Sequence, residues 1–336
     1  MCRLGGAALA SGPVSGTART TADARWRLTP GAYRRVTLAA VIALSLIVVT
    51  GGAVRLTGSG LGCPDWPTCT GHRIVAAWSL HPMIEFTNRV ITVAVTAAVV
   101  AAVLGVLVRQ PRRRDLLWLS SGLVAGVLAQ IVLGGLTVLY KLDPPWVMGH
   151  FVLSFAVLAD AVVLHYRAGR PDTPGRPVVS RDLVRLGSLV LATVGVVVIL
   201  GTAVTGSGPH SGDIHAKRLP FHFQGVAELH SSVVMLLVGL SIATLFALHH
   251  ARAPADVQRR ARIVLGVIAA QAAIGYTQYF TRVPAALVAM HLAGATALWI
   301  AVLRYRLGLF AHPAPEGRPL EEPAPGELAE NVLAGA

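Results

Sequence analysis

Residues 36–54 read VTLAAVIALSLIVVTGGAV, a run without one charged side chain. A helix of this length, rising about 1.5 Å per residue, crosses the roughly 30 Å hydrocarbon core of a bilayer with every backbone hydrogen bond satisfied internally. Outward from it, runs of the same kind lie near 90–108, 116–139, 147–165, 186–204, 229–248, 262–279 and 286–303. The reading is therefore an all-α, polytopic membrane protein of eight transmembrane helices. Over 336 residues, 54% are hydrophobic and 13% charged, and the mean hydropathy is +0.62, too apolar for a soluble domain of this size.

The formal charge of +13 would suggest nucleic acid in a soluble protein. Here the basic residues form short clusters between apolar runs, so the charge sets topology and nucleic acid is not an expected partner. Arg25, Arg27, Arg34 and Arg35 precede the first span. Arg109, Arg112, Arg113 and Arg114 follow the second, and Arg167, Arg170, Arg176, Arg181 and Arg185 follow the fourth. Arg252, Arg259, Arg260 and Arg262 follow the sixth, and Arg304 and Arg306 the eighth. Both termini are then expected in the cytoplasm, with the loops after spans one, three, five and seven outside. The expected organisation is a disordered cytoplasmic tail (1–35), a four-helix half (36–166), a cytoplasmic linker (167–185), a second four-helix half (186–306) and a second disordered tail (307–336), in the plasma membrane.

The two halves repeat. Thr57-Gly58-Ser59-Gly60 follows the first span, and Thr205-Gly206-Ser207-Gly208 follows the fifth. At one offset, Gln130, Gly134 and His150 fall on Gln271, Gly275 and His291, and at nearly the same offset Asn88 falls on His230. Each half holds an even number of helices, so the halves insert the same way up, as two pseudo-symmetric bundles related about the membrane normal.

His150, His230 and His291 open spans four, six and eight and share a depth near the outer leaflet. His230 and His291 can face each other across a bundle, the arrangement in which two imidazoles clamp a b-type haem; the alternative for any one of them is an interfacial histidine bonded to a loop carbonyl. His165, His249 and His250 lie at cytoplasmic ends, where snorkelling explains them. His210, His215 and His222 lie in an outer loop. In the segment His81-Pro82-Met83-Ile84-Glu85-Phe86-Thr87-Asn88-Arg89, Glu85 is either an interfacial cap or a working carboxylate, one turn from Asn88 on the same face. Cys63 and Cys69 flank a short spacer with two prolines on the oxidising side, read as a disulfide with free thiols or a thiol relay as the alternatives.

The run GGAVRLTGSGLGCPDWPTCTG at 51–71, with the Glu85 motif and the repeated histidines, resembles the haem A synthase family over roughly 36–306. The resemblance implies eight helices in two halves, a resident haem b in the C-terminal half and oxidation of a haem O methyl group to a formyl, giving haem A. Carried over by position, His230 and His291 ligate the resident iron. His150 binds the substrate haem, with Asn88, Arg89 and Arg55 beside it, and Glu85 is the catalytic carboxylate. Haem O synthase and terminal oxidase assembly factors are the implied partners, beside membrane lipid. One departure stands out: Asn88 occupies the place where a second substrate-haem histidine is usual. The substrate iron is then five-coordinate through His150 or borrows His81 or His72. A diheme b-type cytochrome passing electrons from quinol would also show paired histidines, but not the inequality of Asn88 and His230 or a Glu85 whose equivalent position is Ala227; a transporter would also show the repeat, but not the ligand-like histidines.

Overall fold

A computed structural model describes residues 27–313. Its helices are α1 (Pro30–Leu56), α2 (Leu80–Val108), α3 (Arg114–Leu139), α4 (Pro144–Ala168), α5 (Arg181–Ser207), α6 (Phe223–His250), α7 (Ala255–Phe280) and α8 (Ala285–Gly308). Two short strands, β1 (Arg176–Pro177) and β2 (Phe310–Ala311), pair antiparallel. All eight helices are long and apolar enough to cross a membrane, and the chain is a multi-pass membrane protein. Large apolar side chains such as Leu46, Val93 and Phe246 lie exposed on the outward faces, the side a bilayer covers.

Local signals set the helix ends. Thr29 caps α1 by accepting a hydrogen bond from Ala32 N (3.2 Å), with Pro30 at the first helical position. Ser180 caps α5 through Leu183 N; both are standard uses of these residue types. Helix α2 begins ten residues before the apolar run expected from the sequence, because the polar turns at His81–Arg89 are helical under cover of the preceding loop. The tight turns α3–α4 and α7–α8 share one geometry. Lys141 and Leu142 have φ of 51° and 59°, Arg282 and Val283 φ of 64° and 59°. Leu142 N donates to Thr137 O, and Val283 N to Gln278 O, so the repeat seen in the histidines extends to backbone conformation.

Helix α1 packs on α2 and α4, and α3 packs on the same two, so α2 and α4 stand on opposite corners of a four-helix ring. In the second half α5 and α7 each pack on α6 and α8, leaving α6 and α8 diagonal. The halves meet through α1–α8, α4–α8 and α4–α5, and Leu191 and Trp299 pack against the buried cores of both.

The seam is tied at each end. At the end carrying the Cys63–Cys69 loop, Gly60 N donates to Gly212 O (2.9 Å). Arg55 there reaches across to His210 O (2.8 Å) and Thr205 O (3.1 Å). At the arginine-rich end, Tyr166 Oη donates to Leu307 O (3.0 Å), and His312 Nδ1 lies 2.9 Å from Thr173 O. These contacts, with the β1–β2 pair, carry ordered chain past residue 306, where a tail was expected, to residue 313. The rest of both expected tails, 1–26 and 314–336, lies outside the described residues.

Candidate functional site

Four positions repeat across the two rings: Asn88 on α2, His150 on α4, His230 on α6 and His291 on α8, each in the second or third turn of its helix. Each faces a glycine of a neighbouring helix. A Cβ at Gly134 would lie 3.1 Å from His150 Cε1, at Gly275 3.3 Å from His291 Cε1, at Gly201 3.4 Å from His230 Cε1, and at Gly51 4.0 Å from Asn88 Nδ2. The side chains thus lie against bare backbone, and a larger residue at those glycines would push them inward.

His230 and His291 stand on diagonal helices with ring centres 6.5 Å apart and planes at 68°. Two imidazoles on opposite sides of one first-row metal ion, each nitrogen about 2.0–2.1 Å from it, have ring centres about 6 Å apart. The spacing would allow both rings to ligate one ion. The Nδ1 atoms of His150, His230 and His291 are all buried without a close hydrogen-bond partner. Among the described residues no three His, Cys, Asp or Glu side chains gather as a metal site. An ion held by this pair must bring its remaining ligands with it.

The first half differs at one corner. Asn88 Oδ1 accepts a hydrogen bond from Thr50 Oγ1 (2.9 Å). His150 matches His291, and its carbonyl accepts from Gln130 Nε2 (3.1 Å). His81, two turns before Asn88, is held by Ser59 Oγ at 3.0 Å, and His72 is exposed on the loop.

Above that corner, Glu85 is 6% exposed. Its Oε2 accepts from Cys63 N (2.8 Å) and its Oε1 from Arg89 Nη2 (2.7 Å). Arg89 also donates to Thr68 O, Cys63 O and Asp65 O. The Cys63–Cys69 disulfide, with Cα atoms 4.3 Å apart, closes the loop these groups hold. Glu85 and Arg89, one turn apart on α2, therefore anchor the loop over the bundle mouth. Both arginines expected beside a substrate have acceptors within the protein: Arg89 binds the loop and Arg55 the second half.

The cytochrome oxidase assembly protein family (COX15-CtaA) matches residues 34–209, more than half of the chain. The chain belongs to this family. It is similar to a haem A synthase of Shewanella oneidensis, 29% identical over 180 residues, 48% of this chain and 52% of that protein. It is similar to those of Geobacillus kaustophilus (31% over 131 residues, 37% and 40%) and Symbiobacterium thermophilum (30% over 187 residues, 53% and 60%). The chain spans about half the length of the curated relatives it matches.

The family match contains Arg55, the disulfide, Glu85, Asn88, Arg89 and His150, and ends before the His230–His291 pair; the internal repeat ties that pair to it. Several contacts were not foreseen from the sequence. Nothing in the sequence marks the glycines as lying opposite the four corners, although Gly134 and Gly275 share the histidines' offset. Thr50 carries no motif that signals its bond to Asn88. Trp299 Nε1 donates to Phe155 O (2.9 Å) across the seam, a pairing that needs the tertiary arrangement to be seen. Asp160, the one carboxylate in the apolar run of α4, lies against Gly122, where a Cβ would be 2.7 Å from its Oδ2.

Proposed function

We propose that the protein is a haem A synthase, oxidising a methyl group of haem O to a formyl group to give haem A for terminal oxidase assembly. The observation that carries this reading is the His230–His291 pair, with ring centres 6.5 Å apart on diagonal helices and only two protein ligands at hand. An iron porphyrin, which brings four equatorial nitrogens, is the group that fits such a pair. A resident haem b is then held by His230 and His291, and the repeated corner in the first half holds the substrate haem through His150. The inequality of the halves favours an enzyme with one cofactor and one exchangeable substrate over a diheme electron carrier, which needs two similar sites.

Conversion of methyl to formyl, with water as the source of the oxygen, releases four protons and four electrons, the electrons passing to an external acceptor. The haem, when bound, supplies the redox chemistry. His150 fixes the substrate on α4. Glu85, one turn above Asn88, can accept a proton or stabilise positive charge beside the substrate. Arg89 holds that carboxylate in place. By the excess of arginine at the opposite end, the disulfide loop lies outside the plasma membrane and both termini inside. Haem O then arrives from haem O synthase, and haem A passes to oxidase assembly factors.

The test is to purify the protein in detergent, extract and identify its porphyrins, then supply haem O with an electron acceptor. One tightly held haem b and the appearance of formyl-bearing haem are expected. Two equal, non-exchangeable haems and no formyl product would refute the reading.

A further inference from the structure

We propose that the iron position of the first half is an open coordination site, at which Asn88 donates a hydrogen bond to a small ligand bound opposite His150. The ligand class is a small hydrogen-bond acceptor of the dioxygen, azide or fluoride kind. The inference rests on reading the first half as a haem site.

The argument is internal to the molecule. Four corners are built alike, each against a glycine, and three present an imidazole. In the second half two imidazoles stand with ring centres 6.5 Å apart and would close both faces of an ion held between them. At the fourth corner stands a neutral carboxamide, a poor ligand for iron. Its end also lies nearer its own backbone than an imidazole Nε2 would, so space remains on that face. Thr50 orients the amide. Its hydroxyl donates to Asn88 Oδ1 at 2.9 Å, which turns the Nδ2 group, a donor only, away from it. In the second half the residue before the corner glycine Gly201 is Leu200, where the first half has Thr50 before Gly51. Thr50 and Asn88 thus differ together from the residues of the matching corner, where a leucine precedes the glycine and the side chain is an imidazole. A fixed N–H donor over an open iron face strengthens ligands that accept hydrogen bonds, anions most of all, and does little for carbon monoxide.

The full-length protein, purified with its haems, is titrated with fluoride in the ferric state and with carbon monoxide in the ferrous state. The wild type should bind both at the His150-dependent haem and at no other. Asn88→Leu should keep carbon monoxide binding, which reports an intact site, and weaken fluoride about tenfold or more, the loss of a hydrogen bond to a charged ligand. Thr50→Val should weaken fluoride in the same direction, since the amide loses its orientation. Asn88→His should turn the first-half haem low-spin and abolish both. A His150-dependent haem that is already six-coordinate and refuses carbon monoxide in the wild type overturns this inference alone. Unchanged fluoride affinity in Asn88→Leu does the same. A preparation holding no haem beyond the one lost in His230→Ala overturns the first-half haem site itself, and this inference with it.

Discussion

Replacing Glu85 by glutamine separates two roles that the structure superimposes. The carboxylate accepts from Cys63 N at 2.8 Å and from Arg89 at 2.7 Å. A glutamine oxygen can keep one of these bonds, and its NH2 then faces the other donor. Orphaning a buried charge typically costs about 3–5 kcal/mol. Arg89, however, keeps three carbonyl acceptors and its side chain is 24% exposed. The loss should be nearer that of a single charge-assisted hydrogen bond, about 1.5–3 kcal/mol, read as a lower unfolding temperature in detergent. If the carboxylate also takes the proton, Glu85→Gln should retain both haems yet form no haem A in a reconstituted assay. Wild-type conversion by Glu85→Gln, with the stability loss intact, would refute the catalytic role and leave the carboxylate as the anchor of the loop.

Either His230→Ala or His291→Ala should remove one low-spin haem and leave the first-half haem in place, checked by haem-to-protein ratio and electron paramagnetic resonance. His150→Ala should weaken only the first-half haem in the same assay. Gly134→Val should act as a partial His150 variant, since even a Cβ there would lie 3.1 Å from the imidazole and overpacking costs about 1–3 kcal/mol. Gly239→Val, where a Cβ meets nothing within 4 Å, should leave haem retention unchanged. Alkylation without reductant followed by mass spectrometry should find Cys63 and Cys69 blocked. Replacing both by serine should destabilise the protein by about 2 kcal/mol, the loop-closure contribution of so short a bridge.

The helices were legible because membrane spans obey a length and polarity rule that needs no tertiary information. The pairing of His230 with His291 was legible because a repeat fixes depth: residues at one offset in helices that run the same way lie at one level. Glu85 was visible as a carboxylate at a helix that should contain none, but its partners were not, because Cys63 N and the carbonyls held by Arg89 belong to a loop whose path depends on the disulfide and on α2 together. Arg55 was legible only in part. Its place in a motif-rich segment suggested a substrate contact, while its acceptors, Thr205 O and His210 O, lie about half the chain away. Backbone carbonyls leave no trace in residue identity, and no pattern in the sequence points to them.

That arginine has an implication for how the two halves can be treated as parts. An isolated first half, made alone by a split gene or an engineered truncation, would carry a guanidinium at the membrane boundary with both acceptors gone, each a bond to a charged group contributing about 1.5–3 kcal/mol. The second half alone would leave two carbonyls bare beside the mouth of its own cavity. The halves resemble interchangeable modules, yet neither is a self-sufficient piece: what began as symmetry has become mutual dependence.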